Sequence, residues 1–317
     1  MQPVWNVGVD VAKDTVVVAC AEHQFPVHPV RNQRASLHTW LKSLPAGSRL
    51  GLESTGTYHE LLADLAHAHG HTVFLLNPLE TRHYAKAMGA RAKTDRVDAT
   101  VLARLVAQEH QALRPYTPPT ATQRQLDRLI RRRAKLVRIK GMLKLTMSTL
   151  GGFTSDVKAV VRKLDALLAK LDTTMATLAT RSSRHRDAQH RVETIVGVGP
   201  LVGLSLTNTL ERVSFRHADA FVAFTGLDPR ARDSGQKSGR RRLSKRGPAE
   251  LRRLLFTAAM SAVRTTVWKP IYDAYRTQGW SRTAALVIIA LKIARAAWSI
   301  HRYHTTFNPD RLTKGLT

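Results

Sequence analysis

Two short runs rich in β-branched residues, Val4 to Val9 and Thr15 to Cys20, lie so close together at the start of the chain that they can pair only as an antiparallel hairpin. Further apolar runs near 25–30, 49–53 and 71–76 read as strands, and helical periodicity is present near 34–44, 57–69 and 95–108. The order is therefore three strands, helix, strand, helix, strand, helix. A hairpin needs only a tight turn, whereas parallel neighbours need a crossover, so this order predicts a mixed sheet with an antiparallel start.

Such an order matches the ribonuclease H-like plan, and four carboxylates fall at telling places in it. Asp10 ends the first strand in Val7-Gly-Val-Asp-Val-Ala-Lys13, and Glu53 ends the strand that begins at Arg49. Asp95 and Asp98 stand three residues apart at the start of a helix, so they share one of its faces. Each aspartate alone is unremarkable, since acids are favoured near helix N-termini. Together the four predict a cage for Mg²⁺ or Mn²⁺, because hard ions take carboxylate oxygens. Two such ions about 3.5–4 Å apart can serve both ends of a phosphodiester displacement.

Charge divides the chain unevenly. Of 317 residues, 50 are Lys or Arg and 23 are Asp or Glu, a formal +27, yet residues 1–110 carry a net of only +1 and the remainder +26. A basic body after a neutral acid-bearing segment points to nucleic acid as partner, and no lipidation motif suggests a membrane. The single Cys20 sits in an expected core strand; it excludes an intramolecular disulfide and a cysteine-cluster zinc site, as suits a reducing cytoplasm. Thr283 to Ile300 is the most apolar late stretch, but Lys292 and Arg295 interrupt it, and a buried or interface helix is expected.

Pro115, Pro118 and Pro119 mark a linker, giving expected domains at 1–112, 113–190 and 191–317. Long helices fill 122–184. Val157, Val161, Leu164, Leu168, Leu171, Met175 and Leu178 repeat at the spacing of a coiled-coil seam, whose partner is either the preceding segment or another subunit. The preceding segment carries Arg124, Arg128, Arg131, Lys135 and Arg138 at helical spacing, with Asp127 its one acid. That is too lopsided for a salt-bridge face and suits a sequence-independent grip on phosphates. Ile195-Val-Gly-Val-Gly-Pro200 reads as a helix-hairpin-helix turn or as a plain helix connection.

The densest basic stretch holds Arg230, Arg232, Lys237, Arg240, Arg241, Arg242, Lys245 and Arg246 around Ser234, Ser238 and Ser244. Ser234, followed by glycine, is either a loop nucleophile or a phosphate contact. An unaided hydroxyl is a weak nucleophile and needs activation from elsewhere.

These segments together resemble a known family. Gly-Val-Asp-Val-Ala-Lys, Glu-Ser-Thr-Gly-Thr-Tyr, Asn77-Pro78, Lys-Thr-Asp-Arg-Val-Asp-Ala, Val-Gly-Val-Gly-Pro, Phe-Thr-Gly-Leu-Asp-Pro-Arg, Asp-Ser-Gly and Ser-Lys-Arg-Gly resemble, in order from about residue 4 to 303, the DEDD transposases of the IS110 insertion sequences, which include Piv-type DNA invertases. The resemblance implies a RuvC-like ribonuclease H-fold domain binding Mg²⁺ through Asp10, Glu53, Asp95 and Asp98. It implies a helical coiled-coil region and a mainly helical C-terminal transposase domain with Ser234 as nucleophile, Ser238 and Ser244 being its nearby rivals. It further implies a bacterial, nucleoid-associated recombinase that acts on donor and target DNA as a dimer or tetramer and is guided by a bridge RNA. The alternatives are a metal-dependent junction-resolving nuclease without a covalent intermediate, and an invertase that reads DNA directly.

Overall fold

The computed structural model describes residues 4–22, 29–54, 56–89, 94–230 and 242–312. The chain forms two compact units, Met1–Pro118 and Pro119–Thr317.

The first unit is built on a five-stranded sheet of β1 (Asn6–Val11), β2 (Thr15–Cys20), β3 (Val30–Arg31), β4 (Arg49–Glu53) and β5 (Thr72–Leu76), in the order β3-β2-β1-β4-β5. The pairs β3/β2 and β2/β1 are antiparallel, while β1/β4 and β4/β5 are parallel. The mixed sheet expected from element order is therefore present. Side chains alternate between the two faces with period two. Val7, Val9, Leu50, Leu52 and Val73 pack on Leu37 and Leu41 of α1 (Arg34–Lys42) and on Leu62 and Ala66 of α2 (His59–Ala68). On the opposite face Phe74 and Leu76 meet Leu102, Leu105 and Val106 of a longer helix, Asp95–Glu109.

Three expectations need adjustment. The first strand begins and ends two residues later than expected, so Asp10 lies inside it, paired with Val17, and does not follow its end. Of the strand expected at 25–30 only Val30 is seen as strand, in the two-residue Val30–Arg31, and residues 23–28 lie outside the described residues. A helix not expected from the sequence, α3 (Pro78–Ala87), precedes Asp95–Glu109, which is thus α4. Its start carries a clear signal, because the Asn77 side chain accepts from the Leu79 amide and Pro78 occupies the first turn. Its body does not: only Thr81 is buried, so apolar periodicity is lacking.

The second unit is almost wholly helical. Helices α5 (Ala121–Thr146) and α6 (Thr154–Thr180) form an antiparallel hairpin in which Arg133 meets Asp172 and Lys140 meets Asp165. Leu126 and Ile130 pack against Met175 and Leu178, so these two positions of the expected seam face the preceding segment. Beyond it come α7 (Ser183–Glu193), α8 (Pro200–Arg212), α9 (Ala218–Thr225), α10 (Ala249–Ala262), α11 (Lys269–Thr277) and α12 (Arg282–Tyr303), with the two-residue strands β6 (Pro229–Arg230) and β7 (Arg242–Leu243) between α9 and α10. Helix α12 is long and apolar enough to cross a membrane by length and composition. Its Ile289, Ile293 and Ala297 nevertheless join Phe221, Leu255 and Trp268 in the core of this unit. The 195–200 turn is pressed against α10: Gly197 has φ of 97°, and a Cβ there would lie 2.6 Å from that of Ala262.

Candidate active site

Strand parity determines where the first two acids point. Gly8 lies under α4, and its missing side chain is what lets the helix in: a Cβ would stand 2.0 Å from the Ala99 carbonyl oxygen and 2.2 Å from the Ala103 nitrogen. Asp10, two residues on, shares that face. Gly51 likewise faces Val106 and Leu102, and Glu53 follows it by two. Since Gly8 pairs with Gly51 and Val9 with Leu52 across the parallel strands, Asp10 and Glu53 are the next positions in register. Both acids thus belong to the α4 side of the sheet.

Helix α4 itself brings the second pair. Its buried stripe runs through Ala99, Leu102 and Val106, and Asp95 and Asp98 extend that stripe toward the N-terminus. The Thr94 side chain caps the helix by accepting from the Val97 amide. Asp10, Glu53 and Asp98 are half-buried, and Asp95 is exposed. Asn32, which no motif or periodicity marks, ties the loops behind the strand acids together: its Nδ2 donates to the Ala12 carbonyl at 3.0 Å and to the Tyr58 carbonyl at 3.2 Å.

The chemistry of these donors suits a hard divalent ion, since all four are carboxylates. Their spacing is another matter. Among the described residues no three His, Cys, Asp or Glu converge closely enough to hold one ion. The fold delivers two pairs, Asp10 with Glu53 and Asp95 with Asp98, and not a closed sphere of four.

In the second unit, Ser234, Ser238, Arg232, Lys237, Arg240 and Arg241 lie outside the described residues. The two arms that carry them are tightly joined. Beyond the β6/β7 pairing, the Ser244 amide donates to the Asp228 carbonyl at 2.9 Å, and the Ser244 hydroxyl donates to the Asp228 carboxylate. Ser244, 7% exposed, is therefore a buried anchor. Arg252 crosses the junction, donating to the Thr225 carbonyl at 3.1 Å and the Gly247 carbonyl at 3.3 Å. Gly247 is obligatory here, because a Cβ would fall 1.6 Å from the Phe224 oxygen. Arg242, Lys245 and Arg246 are exposed beside this clamp, and Arg230 is half-buried.

Helix α5 presents Arg128, Arg131, Lys135 and Arg138 to solvent, with Arg124 half-buried. Arg131 is paired with Asp127 at 2.8 Å, which also takes Arg212 at 2.9 Å. The neighbouring Arg133 and Lys140 are neutralised by Asp172 and Asp165 of α6. The acids of α5 alone therefore understate how much of its charge is offset, because the facing helix supplies two more.

Comparison with known proteins covers both units. A DEDD transposase profile of the IS110 type, described as "Transposase", matches residues 7–149, and a second, described as "Transposase IS116/IS110/IS902 family", matches residues 189–275. The chain is 26% identical to the pilin gene-inverting protein of Moraxella bovis, over 95% of this chain and 97% of that protein. It is also 26% identical to the transposase for insertion sequence element IS1328 of Yersinia enterocolitica, over 97% and 100%, and 27% identical to the transposase for IS1111A of Coxiella burnetii, over 97% and 92%.

Proposed function

Because this chain belongs to the IS116/IS110/IS902 family of DEDD transposases and DNA invertases, whose nuclease domain implies a divalent metal, we propose that it cuts and exchanges DNA strands through a covalent phosphoserine intermediate. Asp10, Glu53, Asp95 and Asp98 would hold Mg²⁺, which when bound supplies charge stabilisation at a reacting phosphate. The Ser234 hydroxyl loses its proton and bonds to phosphorus; the displaced strand leaves with a hydroxyl end, and a second strand later reverses the step. The observation that carries this reading is the strand parity that turns Asp10 and Glu53 toward the helix bearing Asp95 and Asp98. The buried, bonded state of Ser244 adds support, since it removes one rival to Ser234.

Other parts of the chain take supporting roles in this reading. The exposed Arg128, Arg131, Lys135 and Arg138 on α5, together with the basic residues 230–246, meet phosphates without reading sequence. The three-part division at 112 and 190 assigns the α5–α6 hairpin to assembly. Its outer surface exposes Ile139, Met142 and Leu145 on α5 and, seven residues apart, Phe153 at the start of α6 and Val160 and Leu167 on it, an apolar stripe suited to a second copy in coiled-coil contact. A bridge RNA would supply the sequence recognition for which the described residues show no base-reading module.

Trapping on a denaturing gel tests the central step. A protein–DNA adduct should form with the intact chain and vanish with Ser234→Ala. An adduct that survives that substitution removes Ser234 from the mechanism, and cleavage without any adduct favours the junction-resolving nuclease. The full-length similarity to the pilin gene-inverting protein favours a second reading, direct recognition of DNA. Sequencing nucleic acid that co-purifies with the protein decides between them, a discrete RNA species being expected for the guided enzyme.

A further inference from the structure

The C-terminal end of α12 forms a surface that neither the acids nor the serine segment uses. Tyr303, its last residue, is 63% exposed and stands edge-on to Trp298 with ring centroids 6.2 Å apart. His304 then turns the chain with φ of 54°, a left-handed conformation that is strained for a non-glycine residue. Its Nδ1 lies 3.4 Å from Arg191 Nη2.

Positive charge gathers here with little to offset it. His301 is held below the ordinary histidine range by burial and then by His304, Arg184 and Arg191, against the opposing pull of Glu211. Glu211 is already engaged by His185 Nδ1 at 2.6 Å. Among the described residues Arg184, Arg191 and Arg302 have no ion pair. Cations in the last turn complement a helix dipole, which accounts for Arg191 on α7 and Arg302 on α12. It does not account for Arg184, which sits in the first turn of α7 where the dipole opposes it, or for the protruding ring of Tyr303.

A flat exposed ring at a helix end that gathers three guanidiniums without an acid partner among the described residues fits a nucleotide whose base is free to stack. We propose that this end of α12 holds an unpaired stretch of DNA, one base stacking on Tyr303 while Arg184, Arg191 and Arg302 contact the phosphates beside it. Duplex DNA fits less well, because its bases already stack on one another and present no free face. The inference rests on the reading that the chain acts on DNA, and it adds an unpaired strand to the substrates that reading assigns.

The full-length protein is titrated with a fluorescent single-stranded oligonucleotide containing bromodeoxyuridine, with the same sequence as duplex, and with the RNA equivalent. Tyr303→Ala should weaken single-strand binding about 5- to 150-fold, the range for losing one base stacked on an aromatic ring. Duplex binding should stay unchanged. Tyr303→Phe, which keeps the ring, should restore single-strand binding, and photocrosslinks should map to the peptide containing Tyr303. Unchanged single-strand binding by Tyr303→Ala, an equal loss for duplex, or RNA bound more than about tenfold tighter than DNA overturns the proposal. If duplex binds and the single strand is indifferent to Tyr303, only this surface is refuted; if neither form binds the wild-type protein, the DNA reading falls with it.

Discussion

Gly8→Ala should separate α4 from the sheet and so pull the two acid pairs apart. The added Cβ would stand 2.0 Å from the Ala99 oxygen and 2.2 Å from the Ala103 nitrogen, where a carbon–oxygen contact normally needs about 3.3–3.6 Å. Both obstacles are helix backbone, which cannot rotate aside, so α4 must retreat by about 1 Å or more. Overpacking costs typically about 1–3 kcal/mol. The upper end applies here, because the retreat also loosens Leu102, Leu105 and Val106 from Phe74 and Leu76. For a unit of this size such destabilisation lowers the melting temperature by about 10 °C or more. Gly51→Ala meets Val106 Cγ2 at 2.5 Å, a side-chain atom that can change rotamer, and should cost less. Gly47→Ala has open space around it and pays only for its φ of 74°, about 1 kcal/mol. Thermal unfolding of the three variants should rank Gly8 worst. In metal-dependent strand cleavage Gly8→Ala should be slower by about 10²-fold, since misplacing catalytic groups by 1 Å has that effect. Gly8→Ala with wild-type stability and full cleavage would show that α4 does not sit over β1.

Other substitutions probe the remaining sites. Asp10→Asn should abolish metal-dependent cleavage while leaving the melting temperature near wild type, measured side by side on one preparation. Ser244→Ala leaves the half-buried Asp228 carboxylate without its hydroxyl partner, and should destabilise the second unit by about 0.5–1.5 kcal/mol in urea titration. Replacing Lys135 and Arg138 by alanine should flatten the dependence of log binding on log salt by about 0.9 for each phosphate no longer neutralised, whatever the DNA sequence. Burial pushes Glu211 upward, but hydrogen bonds from His185 and Gln123 and the His185 charge outweigh it, so its carboxyl lies below the ordinary range. Its stabilising contribution is therefore present above the unfolded value of about 4.3 and lost as pH falls toward the lowered folded one. Glu211→Gln should melt lower than wild type near neutral pH, with the difference closing in acid.

Most elements were legible because their signals are local. Strands β1, β2, β4 and β5 follow from β-branched and apolar runs, and α4 from an apolar stripe that begins just after Asp98. Helix α3 was missed although its Asn77 cap and Pro78 are strong local cues, because its solvent-facing body lacks the periodicity that announces a packed helix. The partners of Arg133 and Lys140 were missed for a different reason: they belong to α6, and only the hairpin register brings Asp172 and Asp165 to them.

Residue order alone was enough to give the mixed sheet, the helical basic body and the family motifs, and to single out four acids as candidates, because each depends on residue type and short spacing. The tertiary structure decided which face each acid occupies, that Gly8 and Gly247 admit a backbone where any side chain would collide, that Asn32 ties two loops, and that Ser244 is an anchor. Those facts depend on the register between segments far apart in the chain, and a shift of one residue in a strand would turn Asp10 to the opposite face without changing any local pattern.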